Sequence, residues 1–259
     1  MDKKYLRSCN EKLIRLYRFI KKIAKGIIPK TILKNNESLL RRFIASTYAG
    51  NAVQCNLCNY NLKHFVTRAN GDLLCPNCGS LSRTRRLYKI LSDIPITGKI
   101  LHFSPPKSLS SQLKTIPGIN YYTTDFAGEF ETDYHYDITS IAVDDNSFDY
   151  IICYHVLEHI EDDIQAMTEL FRVLKTEGSI FIQTPFKDGD IYEDNSLVSK
   201  KERKKAFGQV DHVRIYSVDG LNHRLQSVGF KTEIYDIQNT TDAYHGFKPE
   251  TFIKAQKIN

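Results

Sequence analysis

The chain has 259 residues, of which 41% are apolar and 25% are charged, and this composition is typical of a folded globular protein. It contains neither a long apolar run nor a signal-peptide pattern, which argues against a membrane span and against secretion. We therefore expect a cytoplasmic protein. The net charge of +6 is uneven, because residues 1–45 have 13 basic and three acidic side chains while the rest of the chain is acidic overall.

Residues 1–50 form a basic arm in which leucine and isoleucine recur at roughly helical spacing. One interpretation is an amphipathic helix that packs on the main domain and exposes a basic face. A second is peripheral contact of residues 1–45 with an anionic membrane, at the inner membrane face. A third is contact with nucleic acid, against which the acidic remainder of the chain argues.

Residues 51–80 contain two CxxC pairs. The four cysteines are Cys55, Cys58, Cys75 and Cys78. Two thiolates three positions apart can lie on one tight turn, and two such turns complete the four ligands of a tetrahedral site. A cytoplasmic location argues against disulfides. The spacing therefore predicts a small zinc-ribbon-like module that holds a structural Zn²⁺ ion and leaves no coordination position open for catalysis.

The segment between the two pairs, residues 64–72, predicts a hairpin with its turn near Asn70 and Gly71. Apolar spacing after the second pair predicts a helix that leads into the third unit, residues 81–259. This helix carries Arg83, Arg85 and Arg86.

Apolar runs and helical patterns alternate through the third unit. The strand candidates are residues 99–103, 119–124, 149–153, 178–184, 231–237 and 250–256. The helix candidates are residues 106–115, 161–175 and 217–228. This alternation predicts an α/β fold with a doubly wound, mostly parallel sheet, which binds ligands at the carboxyl ends of its strands.

The first strand of this unit runs into residues 104–106, a loop without glycine. Nucleotide-binding folds of this type normally have glycine here, because it lets the backbone approach the ligand closely. We expect Ser104 to cap the next helix, with the two prolines in its first turn. The N–H groups of residues 107–109 would then face a carboxylate.

The run SFDYIICYHVLEHI, followed by RVLKTEGSI, resembles class I S-adenosylmethionine-dependent methyltransferases, in particular the small-molecule group. The resemblance covers about residues 97–257. It extends to a bacterial subgroup with N-terminal zinc knuckles of the CPNCGS type, an LHF-x-P loop and DHVRIY late in the chain. It implies a seven-stranded, Rossmann-like sheet and S-adenosyl-L-methionine as the methyl donor.

The resemblance also implies which residues hold the methyl donor. Asp125 ends the second strand, where a carboxylate takes ribose hydroxyls. Asp137 is placed near the adenine amino group, with Ile138 against the ring, although Asp137 has the alternative of capping the next turn. The other expected contacts are His102, Phe103, Ser104, Tyr154 and His155. Glu158 and His159 are expected to start a helix or to pack.

Residues 186–216 form a long charged insertion after the fifth strand, where the resemblance places a segment that covers the active site. Within it, His212 is the first candidate for the base that removes the acceptor proton, because histidine titrates near neutral pH. Asp211 or another acid is expected to orient it, and Arg214 to hold an anionic or polyol acceptor. The alternative for His212 is a structural hydrogen bond, and His155 would then be the base.

These observations favour a methyltransferase that acts on a small molecule or a glycan, at oxygen. One alternative is an RNA methyltransferase with a zinc module, in which the three arginines after the second cysteine pair grip phosphates. Another is a non-catalytic binding protein whose altered loop no longer holds the methyl donor.

Overall fold

The computed structural model describes residues 37–238 and 243–258. Its N-terminal part consists of two helices and two small antiparallel strand pairs. Its elements are α1 (Glu37–Thr47), β1 (Ala49–Gln54), β2 (Asn61–Leu62), β3 (Val66–Thr67), β4 (Leu73–Leu74) and α2 (Ser82–Ser92). The predicted hairpin near residues 64–72 is confirmed as the β3–β4 pair. Gly71, at φ +77°, supplies the left-handed conformation in its turn.

The remaining part alternates strands with helices, as predicted. Its elements are β5 (Gly98–Phe103), α3 (Lys107–Leu113), β6 (Ile119–Thr124), β7 (Phe148–Tyr154), a 3₁₀ turn (Leu157–His159), α4 (Asp163–Val173), β8 (Leu174–Gln183), β9 (Tyr192–Glu193), α5 (Lys200–Phe207), β10 (Arg214–Ile215), α6 (Val218–Val228), β11 (Phe230–Ile237), a second 3₁₀ turn (Ala243–His245) and β12 (Glu250–Lys257).

The central sheet has six strands in the order β11-β12-β8-β7-β5-β6. Strands β5 to β8 pair in parallel, and β12 runs antiparallel to both of its neighbours. The predicted α/β fold with a mostly parallel sheet is thus confirmed, but the expectation of a seventh strand is wrong, because the described residues form a sheet of six. Beyond β6 the chain makes one isolated bridge between Thr124 and Tyr134. The N–H of Tyr136 bonds to the Thr124 hydroxyl at 2.8 Å, so the backbone ladder does not continue.

Apolar side chains cover both faces of the sheet. On one face, α4 and α6 pack on a buried cluster that includes Ile151 and Ile180. On the other face, the cluster continues without a break from Leu57 and Phe65 of the cysteine-containing segment to Ile100 of β5. The predicted module therefore shares its core with the domain behind it, and the burial of that shared apolar surface stabilises both.

Arg85 on α2 fastens the N-terminal part to the far end of the chain. Its side chain is fully buried, and its guanidinium lies 4.1 Å from the centre of the Phe65 ring. It donates hydrogen bonds to the carbonyl oxygens of Leu73, Ser80, His245 and Gly246. Arg86 is also buried and donates to Lys248 O. The RNA-binding alternative, in which both would grip phosphates, does not hold for these two residues, because their guanidinium groups are bonded to backbone carbonyls in the protein interior.

The insertion, residues 186–216, has secondary structure of its own. β9 and β10 pair antiparallel, and α5 lies between them in sequence. Ser199 and Glu202 form a reciprocal capping box at the start of α5, and Gly208 ends the helix at φ +84°. The end of the insertion lies against the 3₁₀ turn that follows β7, where the N–H of Val213 donates to Glu158 O at 2.9 Å.

The predicted basic arm falls mostly on residues 1–36, which lie outside the described residues. Its described part is α1, on which Leu39, Leu40 and Phe43 are exposed. Within the part of the chain that the structure describes, no helix combines the length and the apolar character that a membrane crossing requires. The cytoplasmic location and the contact of residues 1–45 with an anionic membrane stay predictions.

Candidate active site

The predicted site residues meet at the carboxyl edge of the four parallel strands. Phe103 lies opposite Thr124 on one side and Cys153 on the other. The residues that directly follow these strands are Ser104, Asp125, His155 and Thr184. The N–H of Ser104 donates to Thr124 O at 2.8 Å, which holds the loop against the end of β6. Ligands of open α/β sheets bind at this edge.

Ser104 lies in the loop after β5, where folds of this type normally have a glycine. It has φ +49°, in the left-handed region, and its Oγ donates to Asp125 Oδ1 at 2.7 Å. The expectations that Ser104 caps α3 and that both prolines lie in its first turn are wrong, because Pro106 is the N-cap residue and no side chain caps the helix. The N–H of Leu109 donates to Pro106 O at 2.9 Å, so it does not face a ligand.

Asp125 lies where the sequence placed it, at the end of β6. Its side chain is buried, and Oδ2 accepts from the N–H groups of Glu129 (2.6 Å) and Phe130 (3.2 Å). With Ser104 on Oδ1, both carboxylate oxygens have partners within the protein. The carboxylate accepts three bonds and keeps one acceptor position on Oδ1, so two ribose hydroxyls would replace at least one of the present donors.

Asp137 caps the turn that follows it, which was the alternative role expected from the sequence. Its Oδ1 accepts from the N–H (2.8 Å) and the hydroxyl (2.7 Å) of Thr139 and so caps that turn. Ile138 is buried in the core cluster with Phe103. The adenine contacts of Asp137 and Ile138 stay predictions.

His102 and Tyr154 are buried strand residues. The Nδ1 atom of His102 lies 2.7 Å from the Tyr121 hydroxyl, and burial lowers the pKa of the imidazole to about 3. These neighbours give His102 a packing role between β5 and β6. The Tyr154 hydroxyl has no hydrogen-bond partner among the described residues, and burial raises its pKa well above the usual value. Contact of either residue with the methyl donor stays a prediction.

His155 follows β7 in an unusual backbone conformation, with φ +56°. Its Nδ1 lies 3.1 Å from Glu158 Oε1. Burial raises the pKa of Glu158, but the hydrogen bond and charge of His155, a backbone hydrogen bond and His159 together outweigh it, and the net shift is downward. Because an ionised carboxylate can only accept, Nδ1 carries a proton, and in the neutral ring the lone pair is on Nε2. Nε2 is buried and has no partner among the described residues.

The structure brings His212 against two residues to which the sequence assigned only packing. The rings of His159 and His212 meet edge-to-face, with their centres 4.7 Å apart, and Glu158 is adjacent to both. Asp211 Oδ2 lies 3.4 Å from Nδ1 of His159, so Asp211 orients that ring rather than His212. His212 is 3% exposed, and burial together with His159 lowers its pKa. The sequence could not predict the pairing of His159 and His212, because it depends on how the insertion packs on the 3₁₀ turn.

Arg214 is buried and uses its guanidinium within the protein. Nε donates to Glu193 Oε2 at 2.9 Å, Nη2 donates to Glu161 O at 2.8 Å, and Nη1 donates to Leu157 O and Ile160 O. These bonds fix the end of the insertion on the 3₁₀ turn. The expectation that Arg214 holds an acceptor is replaced by this positioning role, because its donors are already engaged.

A cavity of about 350 Å³ opens beside His155. Its wall combines the end of β8 with the β3–β4 turn, α2 and the segment that leads into β12. The lining includes Asp72, Arg83, Gln183, Thr184, Lys248 and Glu250. Buried polar atoms of His155, Gln183, Thr184 and Glu250 have no hydrogen-bond partner among the described residues. A polar ligand that reached these atoms would satisfy them. The sequence pointed to Gln183 and Thr184 as polar residues at a strand end, but of this wall it predicted only His155 as a site residue.

The four cysteines of the N-terminal part lie together on two turns of similar geometry. In each turn the first cysteine donates from its N–H to a carbonyl five residues later, and left-handed residues, Asn59 and Gly79, follow the second cysteine. The Sγ atoms of Cys55 and Cys78, and those of Cys58 and Cys75, are 3.7 Å apart.

This geometry fits a tetrahedral metal site. A disulfide would need a separation of about 2.0 Å. Four sulfurs bound to Zn²⁺ at about 2.3 Å would lie about 3.8 Å from one another, close to the separations seen here. The four Sγ atoms are all within 4.8 Å of one another. The donor set and its shape therefore suit zinc.

Residues 99–233, more than half of the chain, match a family model described as a methyltransferase domain. The chain belongs to the methyltransferase domain family. The prediction of an enzyme is thereby confirmed at the level of the family. One curated relative, a probable S-adenosylmethionine-dependent methyltransferase of Mycolicibacterium smegmatis, is 25% identical over 112 residues, which cover 43% of this chain and 38% of that protein. An uncharacterized protein of Methanocaldococcus jannaschii is 34% identical over 83 residues, 30% of this chain and 36% of that protein.

The chain thus spans little more than a third of the curated relatives that it matches. Among solved structures, the cyclase SpnF has a TM-score of 0.52 at 12% identity, with 88% of this chain and 95% of that one covered. Phosphoethanolamine N-methyltransferase 2 of Haemonchus contortus, solved with S-adenosyl-L-methionine, has a TM-score of 0.49 at 14% identity over 70% of this chain and 53% of that one. The likeness to SpnF supports the fold of this methyltransferase-family chain and leaves the reaction to its site residues.

Proposed function

We propose that the protein is an S-adenosylmethionine-dependent methyltransferase that methylates a hydroxyl oxygen of a small polar acceptor, such as a sugar or a glycan. The observation that carries this proposal is the polar cavity beside His155, at the carboxyl edge of a methyltransferase-family sheet. A volume of about 350 Å³ is in the range of small-molecule sites.

The methyl donor is assigned to the edge formed by β5, β6 and β7. Asp125 would hold the ribose hydroxyls, and Asp137 with Ile138 would hold the adenine. Phe103, Ser104 and Tyr154 would border the remainder. When bound, S-adenosyl-L-methionine supplies a methyl group on a positively charged sulfur, so the protein has mainly to position the acceptor.

We assign to Nε2 of His155 the removal of the proton from the hydroxyl group of the methyl acceptor. Glu158 holds the proton of Nδ1 in place, which leaves the lone pair of Nε2 on a residue that lines the cavity. His212, the first candidate in the sequence, is buried and does not line the cavity. We therefore prefer His155 as the base.

The acceptor is inferred to be small rather than an RNA strand. Two of the three arginines that an RNA-binding interpretation requires are buried and bonded to backbone carbonyls. The cavity wall offers both cations and carboxylates, Arg83 and Lys248 beside Asp72 and Glu250, which suits a polar acceptor with several hydroxyls.

The test is release of S-adenosylhomocysteine from S-adenosyl-L-methionine in the presence of a panel of monosaccharides, nucleotide sugars and short RNAs. Release with a sugar acceptor, reduced about 10²–10⁴-fold in His155→Gln, supports the proposal. His223→Gln, an exposed histidine on α6, serves as the control and keeps the activity. Release that depends only on RNA would overturn the choice of acceptor, and full activity in His155→Gln would overturn the choice of base.

The cysteine site is assigned to one structural Zn²⁺ ion, as in the knuckle-bearing subgroup that the sequence resembles. Its sulfur separations support this assignment. Metal analysis of protein purified without chelators should find this zinc, and Cys75→Ser should lose one equivalent of it. Cys153→Ser, a buried cysteine outside the site, is the control. Equal zinc content in Cys75→Ser and in the unaltered chain would contradict the assignment.

A further inference from the structure

A second group of metal-ligating side chains, Glu158, His159 and His212, lies next to His155, whose Nδ1 is 3.1 Å from Glu158 Oε1. One ligand atom from each lies within 4.8 Å of those of the other two. Glu158 and His159 belong to the 3₁₀ turn after β7, whereas His212 comes from the end of the insertion. The fold therefore brings one carboxylate and two imidazoles from distant segments to one point.

Two of these side chains are buried, and each has a polar atom without a partner. Glu158 is 1% exposed and His212 is 3% exposed. Glu158 Oε2 and His212 Nε2 have no hydrogen-bond partner among the described residues. Buried polar atoms are rarely left unsatisfied, because each costs the free energy of the lost hydration. A ligand common to both atoms would remove this cost.

The surroundings orient the third ligand and fix the two segments. Asp211 Oδ2 lies 3.4 Å from Nδ1 of His159, which leaves Nε2 of that ring free to coordinate. A carboxylate on the far nitrogen of a metal-bound histidine is a common arrangement. The N–H of Val213 donates to Glu158 O at 2.9 Å, and the bonds of Arg214 to the 3₁₀ turn add to this.

We propose that Glu158, His159 and His212 bind a divalent transition-metal ion and leave part of its coordination open. One carboxylate and two imidazoles suit Zn²⁺, Mn²⁺ or Fe²⁺ and not Ca²⁺, which takes oxygen ligands. The four-cysteine site is separate from it and differs in donor type, because soft thiolates select zinc.

The role of this ion rests on the proposed function. Positive charge at an open coordination position lowers the pKa of a bound hydroxyl. In this arrangement His212 is a ligand, and His155 accepts the proton. The O–H bond of the acceptor breaks and its proton goes to His155 Nε2. The oxygen forms a bond to the methyl carbon, and the electron pair of the broken C–S bond stays on sulfur.

Binding is tested with Mn²⁺ and Co²⁺ on the full chain, after dialysis against EDTA and with the zinc content of the cysteine site measured. Electron paramagnetic resonance of free Mn²⁺ and the absorption spectrum of bound Co²⁺ report occupancy. One equivalent of either ion should bind, and the binding should be lost in His212→Gln and in Glu158→Gln. Asp211→Asn should weaken it about 10–100-fold. His223→Gln should bind normally.

Thermal melting shows whether each variant is folded, and Asp211→Asn, with an exposed side chain, serves where a buried ligand variant fails to fold. The proposal is overturned if folded protein binds neither ion, or if His212→Gln and Asp211→Asn bind as well as the unaltered chain. A titration with S-adenosylhomocysteine on the same samples separates the two proposals. If S-adenosylhomocysteine binds and neither metal ion does, the metal site is wrong and the proposed methyltransferase function stands. If a metal ion binds and S-adenosylhomocysteine does not, the proposed methyltransferase function is wrong.

Discussion

Ser104 holds a backbone conformation that glycine normally occupies. A left-handed conformation costs a residue with a side chain about 1–2 kcal/mol, and the hydrogen bond from its Oγ to Asp125 offsets part of this cost. The loop after β5 thus keeps the conformation of a glycine loop without the glycine. The serine adds a contact between the ends of β5 and β6 that glycine could not make.

Replacement of Ser104 should therefore give an unusual order of stability. Ser104→Ala loses the hydrogen bond and keeps the strain, so we expect its free energy of unfolding to fall by about 1 kcal/mol. Ser104→Gly loses the same bond but relieves the strain, and it should be more stable than Ser104→Ala. Urea denaturation of both variants measures the difference. A less stable glycine variant would show that φ at this residue is not strained.

Glu250 in the cavity wall has a carboxyl group whose pKa is raised far above its usual value. Burial raises its pKa to about 8, and the nearby Arg86 and Arg83 counteract this only in part, while Asp72 adds to it. The folded carboxyl therefore holds its proton at pH values where the unfolded chain has lost it. Because the folded carboxyl binds more protons than the unfolded one between about pH 4.5 and 8, the contribution of Glu250 to stability must fall as the pH rises through this range.

Glu250→Gln removes this dependence, because an amide stays neutral at every pH. The melting temperature of the variant minus that of the unaltered chain should increase from about pH 5 to about pH 8 by on the order of 5 °C. Differential scanning calorimetry at several pH values measures it. A constant difference across this range would mean that the buried carboxyl is already ionised at pH 5.

At the level of the elements, α2 joins the cysteine-containing segment to the sheet through Arg85. A planar guanidinium can satisfy four carbonyls from three parts of the chain at once, whereas an ammonium has three donors and no fixed plane. Gly246 allows this contact, because a Cβ there would lie 2.5 Å from the Phe65 ring. The wall of the cavity depends on this junction.

Arg85→Lys should lower the free energy of unfolding by about 2–4 kcal/mol, because it leaves buried carbonyls without donors. Urea denaturation measures the loss. Arg42→Lys, an exposed arginine on α1, should change it by less than about 0.5 kcal/mol. Equal stability of the two variants would show that Arg85 does not hold the junction.

Local patterns predicted some elements closely and misplaced others. Strand β6 has the predicted bounds of 119–124, because a turn interrupts the apolar run on each side. The helix predicted over 161–175 ends at Val173, and β8 begins at once at Leu174 rather than at 178. Glu177, at φ +63°, lets this strand bend near its start. Such a bend has no signature in hydrophobic periodicity.

For the whole molecule, the sequence could predict those parts of the site that lie at strand ends. Asp125 and His155 were found in this way, because a strand end can be recognised from local apolar spacing. The cavity could not be predicted, since Asp72, Arg83 and Lys248 meet there only through the packing of distant segments. The same is true of the contact between His159 and His212.

The central claim is that the carboxyl edge of β5 to β7 binds the methyl donor through Asp125. Isothermal titration of the full chain with S-adenosylhomocysteine tests it most directly. The unaltered chain should bind one equivalent, and Asp125→Ala should bind about 30- to 150-fold more weakly, because about 2–3 kcal/mol of charge-assisted hydrogen bonding is lost. Asp93→Ala, an exposed aspartate beyond α2, should bind normally. No binding by the unaltered folded chain, or equal affinity in Asp125→Ala, would contradict the claim.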